Sequence, residues 1–148
     1  MGYFFIMMNQ SSGRYTFPKA EHLCGEIRIN QLFAEGKAFI VYPLRIVYSV
    51  RSSQAGSVPV QVMVSVPKKR FKRAVKRNRL KRLMREAYRL SKPDFVADLS
   101  SRGLSMQIAF NYVSDDQVDF VQMQRKMSIA LQKITERLPQ GIAVPPVP

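Results

Sequence analysis

The residues best suited to do chemistry in this sequence are cations, and most of them lie in one segment. Thirteen of the chain's 24 lysines and arginines fall between Lys68 and Lys92, where Glu86 is the only carboxylate. Arginine and lysine at this density suit the neutralisation of phosphates, which arginine's planar fork can contact in a bidentate way. The set consists of Lys68, Lys69, Arg70, Lys72, Arg73, Lys76, Arg77, Arg79, Lys81, Arg82, Arg85, Arg89 and Lys92.

The spacing within this segment predicts an amphipathic helix. At about 100° per residue, one side collects apolar side chains, with Leu90 at its border: Leu80, Leu83, Met84 and Ala87. The opposite side is polar and cationic: Asn78, Lys81, Arg82, Arg85 and Arg89. Like charges four residues apart cost a helix a few tenths of a kcal/mol per pair. Solvated faces normally mix signs, so a nearly single-signed face predicts contact with nucleic acid.

Asn78 interrupts the run of cations. Its amide carries a donor and an acceptor, which suits a base edge, a sugar hydroxyl or a hydrated metal ion. An exposed polar filler is the plainer alternative.

Composition points to the same kind of partner. The chain has 148 residues, 46% of them hydrophobic, and a net charge of +14, which indicates one globular domain that favours a polyanion. No segment approaches the roughly 18 to 20 apolar residues of a membrane-spanning helix, so nucleic acid is favoured over membrane. The single cysteine, Cys24, fits a reducing cytoplasm.

Periodicity predicts a helix followed by strands in the first half of the chain. A short amphipathic helix is expected from Ile27 to Gly36. Alternation from Phe39 to Val50 slips in phase at Pro43, which indicates one bent strand or two short ones. A further strand is expected from Val58 to Val66.

In the second half, we expect Pro93 to end the basic helix, because proline removes a helical hydrogen bond. Alternation from Leu104 to Tyr112 predicts another strand. Ser114, with Gln117 three residues on, has capping-box spacing and predicts the start of a last helix that ends before Pro139.

This order of elements predicts an α+β fold, a single-layer β-sheet with helices packed on it. We expect one domain over residues 16–138, a flexible leader over residues 1–15 and a Pro-rich disordered tail over residues 139–148.

The basic segment resembles the signature of the bacterial ribonuclease P protein family. In that family a strand ending in a Ser-Val-x-Lys-Lys-like run enters a helix with Arg-x-Ala, Arg-Asn-Arg, Lys-Arg and Arg-Glu. The matching stretch here runs from Val64 to Arg89 and includes Ser65-Val66-Pro67-Lys68-Lys69 and Arg77-Asn78-Arg79. Weaker similarity covers roughly residues 16–135: Thr16-Phe17, Leu32-Phe33 before Gly36, and Leu44-x-Ile46-x-Tyr48.

The resemblance implies a ribosomal-protein-like fold in which the basic helix lies in a left-handed β-α-β crossover and docks on a catalytic RNA. It also implies a cleft for the single-stranded 5′ leader of precursor tRNA. By match, the RNA-binding residues would be Lys68, Lys69, Arg73, Lys76, Arg77, Asn78, Arg79, Lys81, Arg82, Arg85 and Arg89. The leader cleft would contain Phe17, Phe33, Ile46 and Tyr48, with Lys81 and Arg85 along its edge. Aromatics beside cations suit single-stranded RNA.

One position departs from the family. Its members usually carry an aromatic residue one helical turn before the residue that matches Phe33, and Ile29 stands there in this chain. One stacking surface for the leader is therefore expected to be absent.

No catalytic set is apparent in the chain itself. His22 is the only histidine, and His22 with Cys24 falls short of the four ligands of a zinc site. The pair Asp115-Asp116 suits helix capping. The resemblance implies instead that Mg²⁺ bound mainly by the RNA performs hydrolysis, so no protein residue is expected to be catalytic and no protein metal site is expected.

Two other functions compete with a role in precursor-tRNA cleavage. A ribosomal or ribosome-assembly protein would have the same basic character. DNA binding is the weakest hypothesis, because neither a dimerisation heptad nor helix-turn-helix spacing accompanies the basic helix. We therefore expect a cytoplasmic protein that binds ribonuclease P RNA and precursor tRNA, and neither membrane nor DNA.

Overall fold

The computed structural model describes residues 17, 19–23, 25–52 and 59–138. The predicted leader and tail, residues 1–15 and 139–148, lie outside the described residues, as does Cys24. The elements in chain order are a 3-10 helix Lys19–Glu21, α1 Glu26–Glu35, β1 Lys37–Val41, β2 Leu44–Ser52, β3 Val60–Ser65, α2 Ala74–Ser101, β4 Leu104–Tyr112 and α3 Phe120–Arg137.

The four strands form one sheet in the order β1-β2-β4-β3. β2 pairs antiparallel with both β1 and β4, whereas β3 pairs parallel with β4. Two neighbouring parallel strands need a crossover connection, and α2 is that crossover. The predicted α+β class is confirmed, and the left hand of the crossover stays a prediction.

The phase slip at Pro43 is a turn between two strands. β1 and β2 form an antiparallel hairpin through Tyr42 and Pro43, whose peptide bond is cis. The alternative of two short strands, left open by the sequence, is therefore the observed one.

Both faces of the sheet are covered by helices. Even-numbered residues of β2, β3 and β4 face a large core that α2 and α3 complete, including Ile46, Ile108 and Phe110. The odd-numbered Val47 and Ala109 belong to a smaller cluster on the other face, beneath Leu32 of α1. The sheet thus separates a deep core from a thinly covered polar face.

Close packing holds the end of α1 against β2. Gly36 follows the helix, and a Cβ there would lie 2.9 Å from Val47 Cγ1 and 2.5 Å from the Leu32 carbonyl oxygen. Only glycine allows this close approach, so Gly36 lets the end of α1 pack directly against β2.

Pro93 does not end the basic helix, so that prediction is wrong. α2 continues through Pro93 to Ser101. Beyond the proline, Phe95 and Leu99 are buried in the core. Their burial offsets the hydrogen bond that proline cannot make, because tertiary packing routinely outweighs local propensity.

The start of the last helix was also placed wrongly. α3 begins at Phe120, and its N-cap is Asp119, whose Oδ1 accepts from the Gln122 amide at 2.8 Å. Ser114 Oγ instead accepts from the Asp116 amide at 3.0 Å within the preceding loop. None of the helices in the described part of the chain is long and apolar enough to cross a membrane.

Candidate nucleic-acid interface

The apolar side of α2 fixes which way its cations point. Leu80, Met84, Ala87 and Tyr88 are buried against the sheet and α3. This confirms most of the predicted apolar face, and Leu83 packs at its margin. The helix therefore cannot rotate about its axis without exposing this face.

The opposite side of α2 and the segment before it, residues 67–73, present a strip of exposed side chains. Residues 67–73 are called the basic turn. Seven of the predicted RNA-binding cations are exposed: Lys68, Lys69, Arg73, Lys76, Arg79, Arg82 and Arg85. Asn78 is exposed among them. Lys81, Arg77 and Arg89 are half-buried. The structure thus brings the whole predicted set onto one helix and its leading turn.

Arg77 has a structural contact that sequence reasoning missed. Its Nη1 donates to the carbonyl oxygens of Phe71 at 2.8 Å and Lys72 at 2.9 Å. Phe71 is itself buried and packs on the Tyr112 ring, with centroids 5.9 Å apart. The N-cap residue is Arg73, whose side chain has no acceptor for a capping bond. The Arg77 side chain therefore adds the contacts that tie the basic turn to the first turn of α2.

Acidic partners are few along this surface. Within the described residues, three of the thirteen cations form ion pairs: Arg70 with Asp115 at 3.0 Å, Arg89 with Glu86 at 2.6 Å, and Lys92 with Glu21. Hydrogen bonds from Arg89 hold the pKa of the Glu86 carboxyl below its usual value. The remaining ten cations form no ion pair in the described part of the chain.

The predicted leader cleft is not assembled as one surface. Ile46 and Tyr48 lie in the large core, 0% and 3% exposed, on the face that α2 and α3 cover. Phe33 lies on α1, which covers the opposite face, and is 42% exposed. The match to the family grouped residues that the structure separates, because Ile46 and Tyr48 face α2 and α3 whereas α1 covers the other side of the sheet.

Phe17 lies at a third place, against α2. Its ring centroid is 4.0 Å from that of His22 and 5.3 Å from that of Tyr88, and Lys92 Nζ is 6.0 Å from its centroid. Burial raises the pKa of the Tyr88 hydroxyl well above its usual range, and the Glu21 carboxylate adds to this. His22 Nε2 contacts the Phe17 carbonyl oxygen at 3.2 Å. These residues anchor the segment before α1.

A polar row on the α1 side of the sheet was not singled out from the sequence. Arg45, Asn111 and Ser65 are successive partners across β2, β4 and β3, and the apolar Ile40 of β1 pairs with Arg45 at the end of the row. Asn111 Nδ2 donates to the Arg45 carbonyl oxygen at 3.4 Å. Ser65 lies at the end of β3, where the chain enters the basic turn. The polar residues that alternate along β4 were the available signal for this row.

The described residues contain no group of three or more His, Cys, Asp or Glu side chains that could hold a metal ion. The Asp115-Asp116 pair was predicted to cap the last helix, but the N-cap of that helix is Asp119. Asp115 pairs with Arg70, and the Asp116 carbonyl oxygen accepts from the Tyr112 hydroxyl.

Comparisons with known proteins agree with this architecture. The family model described as Ribonuclease P matches residues 17–135. A "Ribonuclease P protein component" of Porphyromonas gingivalis is 46% identical over 131 residues, covering 88% of this chain and 95% of the relative. One from Chlorobaculum tepidum is 44% identical over 79 residues, covering 52% of this chain and 51% of the relative.

Solved structures share the fold at low identity. The Staphylococcus aureus RNase P protein superimposes with a TM-score of 0.58 at 20% identity, covering 80% of this chain and 97% of that one. The Thermotoga maritima protein gives 0.58 at 22% identity, covering 76% and 96%. At this level of identity the similarity shows a shared fold and no more.

The fold and the exposed cations define a small basic α+β protein with a cationic helix as the crossover between parallel strands. The chain belongs to the ribonuclease P protein family. Its family connects it with ribonuclease P activity and tRNA processing.

Proposed function

We propose that this chain is the protein subunit of ribonuclease P. It binds the catalytic RNA and the 5′ leader of precursor tRNA, and so promotes endonucleolytic 5′ maturation of tRNA in the cytoplasm. The observation that carries the proposal is the exposed cationic side of α2, which has few acidic partners among the described residues. Family membership supplies the particular RNA.

The cations of α2 and its leading turn meet the phosphates of the RNA subunit. Lys68, Lys69, Arg73, Lys76, Arg79, Arg82 and Arg85 are the exposed contacts, with Asn78 between them. Each neutralised phosphate releases condensed counterions, so binding weakens steeply with salt. Lys81 extends the contact, whereas Arg77 and Arg89 also hold groups of the protein itself.

The leader lies on the α1 side of the sheet rather than among Ile46 and Tyr48. Phe33 offers an exposed ring there, and Arg45, Asn111 and Ser65 form a polar row that leads to the basic turn. A polar strand surface with an aromatic neighbour suits an unpaired strand, whose bases stack while its phosphates meet cations.

The chemistry of cleavage belongs to the RNA. The Mg²⁺ ions of the reaction are held mainly by the RNA subunit, and the chain supplies binding and orientation. No membrane or DNA partner is proposed.

Reconstitution tests this function. The purified protein is mixed with a bacterial ribonuclease P RNA, and precursor-tRNA cleavage is measured at low Mg²⁺ beside protein-alone and RNA-alone controls. We expect cleavage only in the mixture. If a cognate RNA that is active alone at high Mg²⁺ gains nothing from the protein, the chain is a binding module for another structured RNA.

A further inference from the structure

A cavity lies on the α3 side of the molecule, away from Phe33 and α1. It is an open cavity of about 370 Å³ between the β1–β2 turn, the loop after β4 and the first turns of α3. Ligand pockets in proteins have volumes of about 300 Å³ or more, so this cavity is large enough to be a candidate site for one nucleotide. Nothing in the proposed contacts of α2 or of the α1 face uses it.

Hydrogen bonds fix the walls of this cavity. The Val113 amide donates to the Pro43 carbonyl oxygen at 2.8 Å and ties the β1–β2 turn to the end of β4. The buried Tyr112 hydroxyl donates to the Asp116 carbonyl oxygen, and the Asp116 amide donates to Ser114 Oγ at 3.0 Å. The loop after β4 is therefore held from both sides before any ligand arrives.

The groups that line the cavity match the parts of a nucleotide. Tyr42 is 60% exposed and offers a ring face for a base. Arg125 and Lys126 supply two cations for a phosphate. Asp116 and Gln122 provide acceptors and a donor for a base edge. Two cations against one carboxylate leave an excess positive charge.

The position of the cavity favours a continuous strand as its occupant. A second cavity, of about 460 Å³, shares Asp116 with the first and is lined by Lys72, Arg73 and Lys76 of the basic turn and α2. Asp115 also lines it, and its carboxylate pairs with Arg70. An RNA strand that follows those cations past Asp116 reaches Tyr42. Stacking on an aromatic ring beside cations is how single strands are held without base pairing.

We infer that the cavity between Tyr42, Asp116 and Arg125 binds one unpaired nucleotide of an RNA strand that also contacts the start of α2. The inference rests on the proposed function for the identity of that RNA. The nucleotide belongs either to the RNA subunit or to precursor tRNA, and the two sources share the same chemistry.

Tryptophan fluorescence tests this site directly, because the chain contains no tryptophan. Tyr42→Trp places a single fluorophore in the cavity, and Val121→Trp places one at an exposed position of α3 that does not line it. The probe is a single-stranded pentaribonucleotide of mixed sequence, titrated into each full-length variant. We expect saturable quenching for Tyr42→Trp and little change for Val121→Trp.

A second pair of variants tests the phosphate contact. In the Tyr42→Trp background, Arg125→Ala should weaken the quenching titration by about threefold to tenfold. Lys133→Ala removes an exposed α3 cation outside the cavity and should leave it unchanged. Unchanged emission when a labelled strand shows full binding by anisotropy would overturn the inference, as would equal quenching of both tryptophans or no binding of the strand.

The source of the nucleotide is read from the assembled complex. Quenching of Tyr42→Trp by the RNA subunit alone assigns the site to that RNA, and quenching only after precursor tRNA is added assigns it to the substrate. Quenching by the pentamer without any stimulation of cleavage would refute the proposed function and leave the nucleotide site standing. Stimulated cleavage without quenching by any RNA would do the reverse.

Discussion

Lys92 and Glu21 form an ion pair that joins α2 to the 3-10 helix across 71 positions of the chain. The Lys92 side chain is 4% exposed and that of Glu21 is 20% exposed. A buried lysine needs a partner, because an unpaired charge in the interior is costly. The pair therefore holds the segment before α1, together with Phe17, on the side of the crossover helix.

Removing only the carboxylate of this pair should destabilise the fold. Glu21→Gln leaves the Lys92 ammonium buried without its counter-charge, at a cost of about 2–3 kcal/mol; this is less than for a fully buried pair because Glu21 is partly exposed. Urea denaturation with an unchanged m-value measures the loss. Glu21→Gln combined with Lys92→Met should lose less than Glu21→Gln alone, and an equal or larger loss in the double variant would contradict the electrostatic explanation.

Replacing Arg77 and Arg82 by alanine should have different effects on protein stability. Arg77→Ala removes the donor to the Phe71 and Lys72 carbonyl oxygens, so it should lower the free energy of unfolding by about 1–2 kcal/mol and also weaken RNA binding. Arg82→Ala removes only an exposed cation, so the melting temperature should stay unchanged.

The salt dependence of RNA binding measures the second effect. For Arg82→Ala, the slope of log K against log salt should become less steep by about 0.7 to 0.9, the value for one phosphate contact. An unchanged slope would exclude Arg82 from the interface. Equal melting temperatures for the two variants would contradict the structural role of Arg77.

Replacing Glu86 should strengthen RNA binding at neutral pH. Glu86→Gln removes the carboxylate that pairs with Arg89 on the edge of the cationic side, so the affinity for the RNA subunit should rise by a few-fold and the salt slope should steepen. Glu136 lies on α3, outside this surface, and Glu136→Gln, which removes a carboxylate there, is the matched control and should change the affinity less. Equal affinity of Glu86→Gln and wild type would contradict this expectation.

The same carboxyl gives a pH dependence of known sign. Because the folded-state pKa of Glu86 is lowered, its contribution to stability is fully present above the ordinary glutamate pKa of about 4.3 and is lost as the pH falls through the lower folded value. The melting temperatures of wild type and Glu86→Gln should therefore differ most near neutral pH and converge in acid. A difference that persists in acid would exclude this ion pair as its cause.

Sequence patterns predicted the elements because period and burial agree over most of the chain. The apolar side of the basic helix and the alternation of Leu104–Tyr112 are both local signals, and the structure confirms both. The N-cap was misplaced because Ser114 and Asp119 are both capping residues, and local spacing does not decide between them.

The prediction of the leader cleft was wrong for a reason that no single strand reveals. Ile46 and Val47 are both apolar, and they face opposite layers because α1 covers one side of the sheet while α2 and α3 cover the other. Which side of β2 faces α1 and which faces α2 and α3 depends on how distant elements are connected. The sequence of β2 alone does not show it. The contacts of Arg77 with carbonyl oxygens could not be predicted from the sequence either, because an arginine that binds carbonyl oxygens looks the same in a sequence as one that binds phosphate.

Pro93 should be replaceable with a gain in stability. Because α2 runs through it to Ser101, Pro93→Ala restores a backbone donor within the helix and should raise the free energy of unfolding by about 1–2 kcal/mol. This is less than the roughly 3 kcal/mol helix penalty of proline, since losing the ring also frees the unfolded chain. Chemical denaturation measures the change, and a loss of stability would show that the surrounding packing requires the ring.

Replacing Phe33 should weaken binding of the leader without changing binding of the RNA subunit. Its ring is 42% exposed on α1, so Phe33→Ala removes a stacking surface while the buried Leu32 keeps the helix on the sheet. One base stacked on an aromatic ring is worth about 1–3 kcal/mol, so precursor tRNA with a leader should bind the assembled complex at least about fivefold more weakly. Ile27→Ala, an exposed apolar substitution on the same helix, is the matched control. Mature tRNA and the RNA subunit should bind both variants as they bind wild type, and an equal loss with leaderless tRNA would place Phe33 outside the leader site.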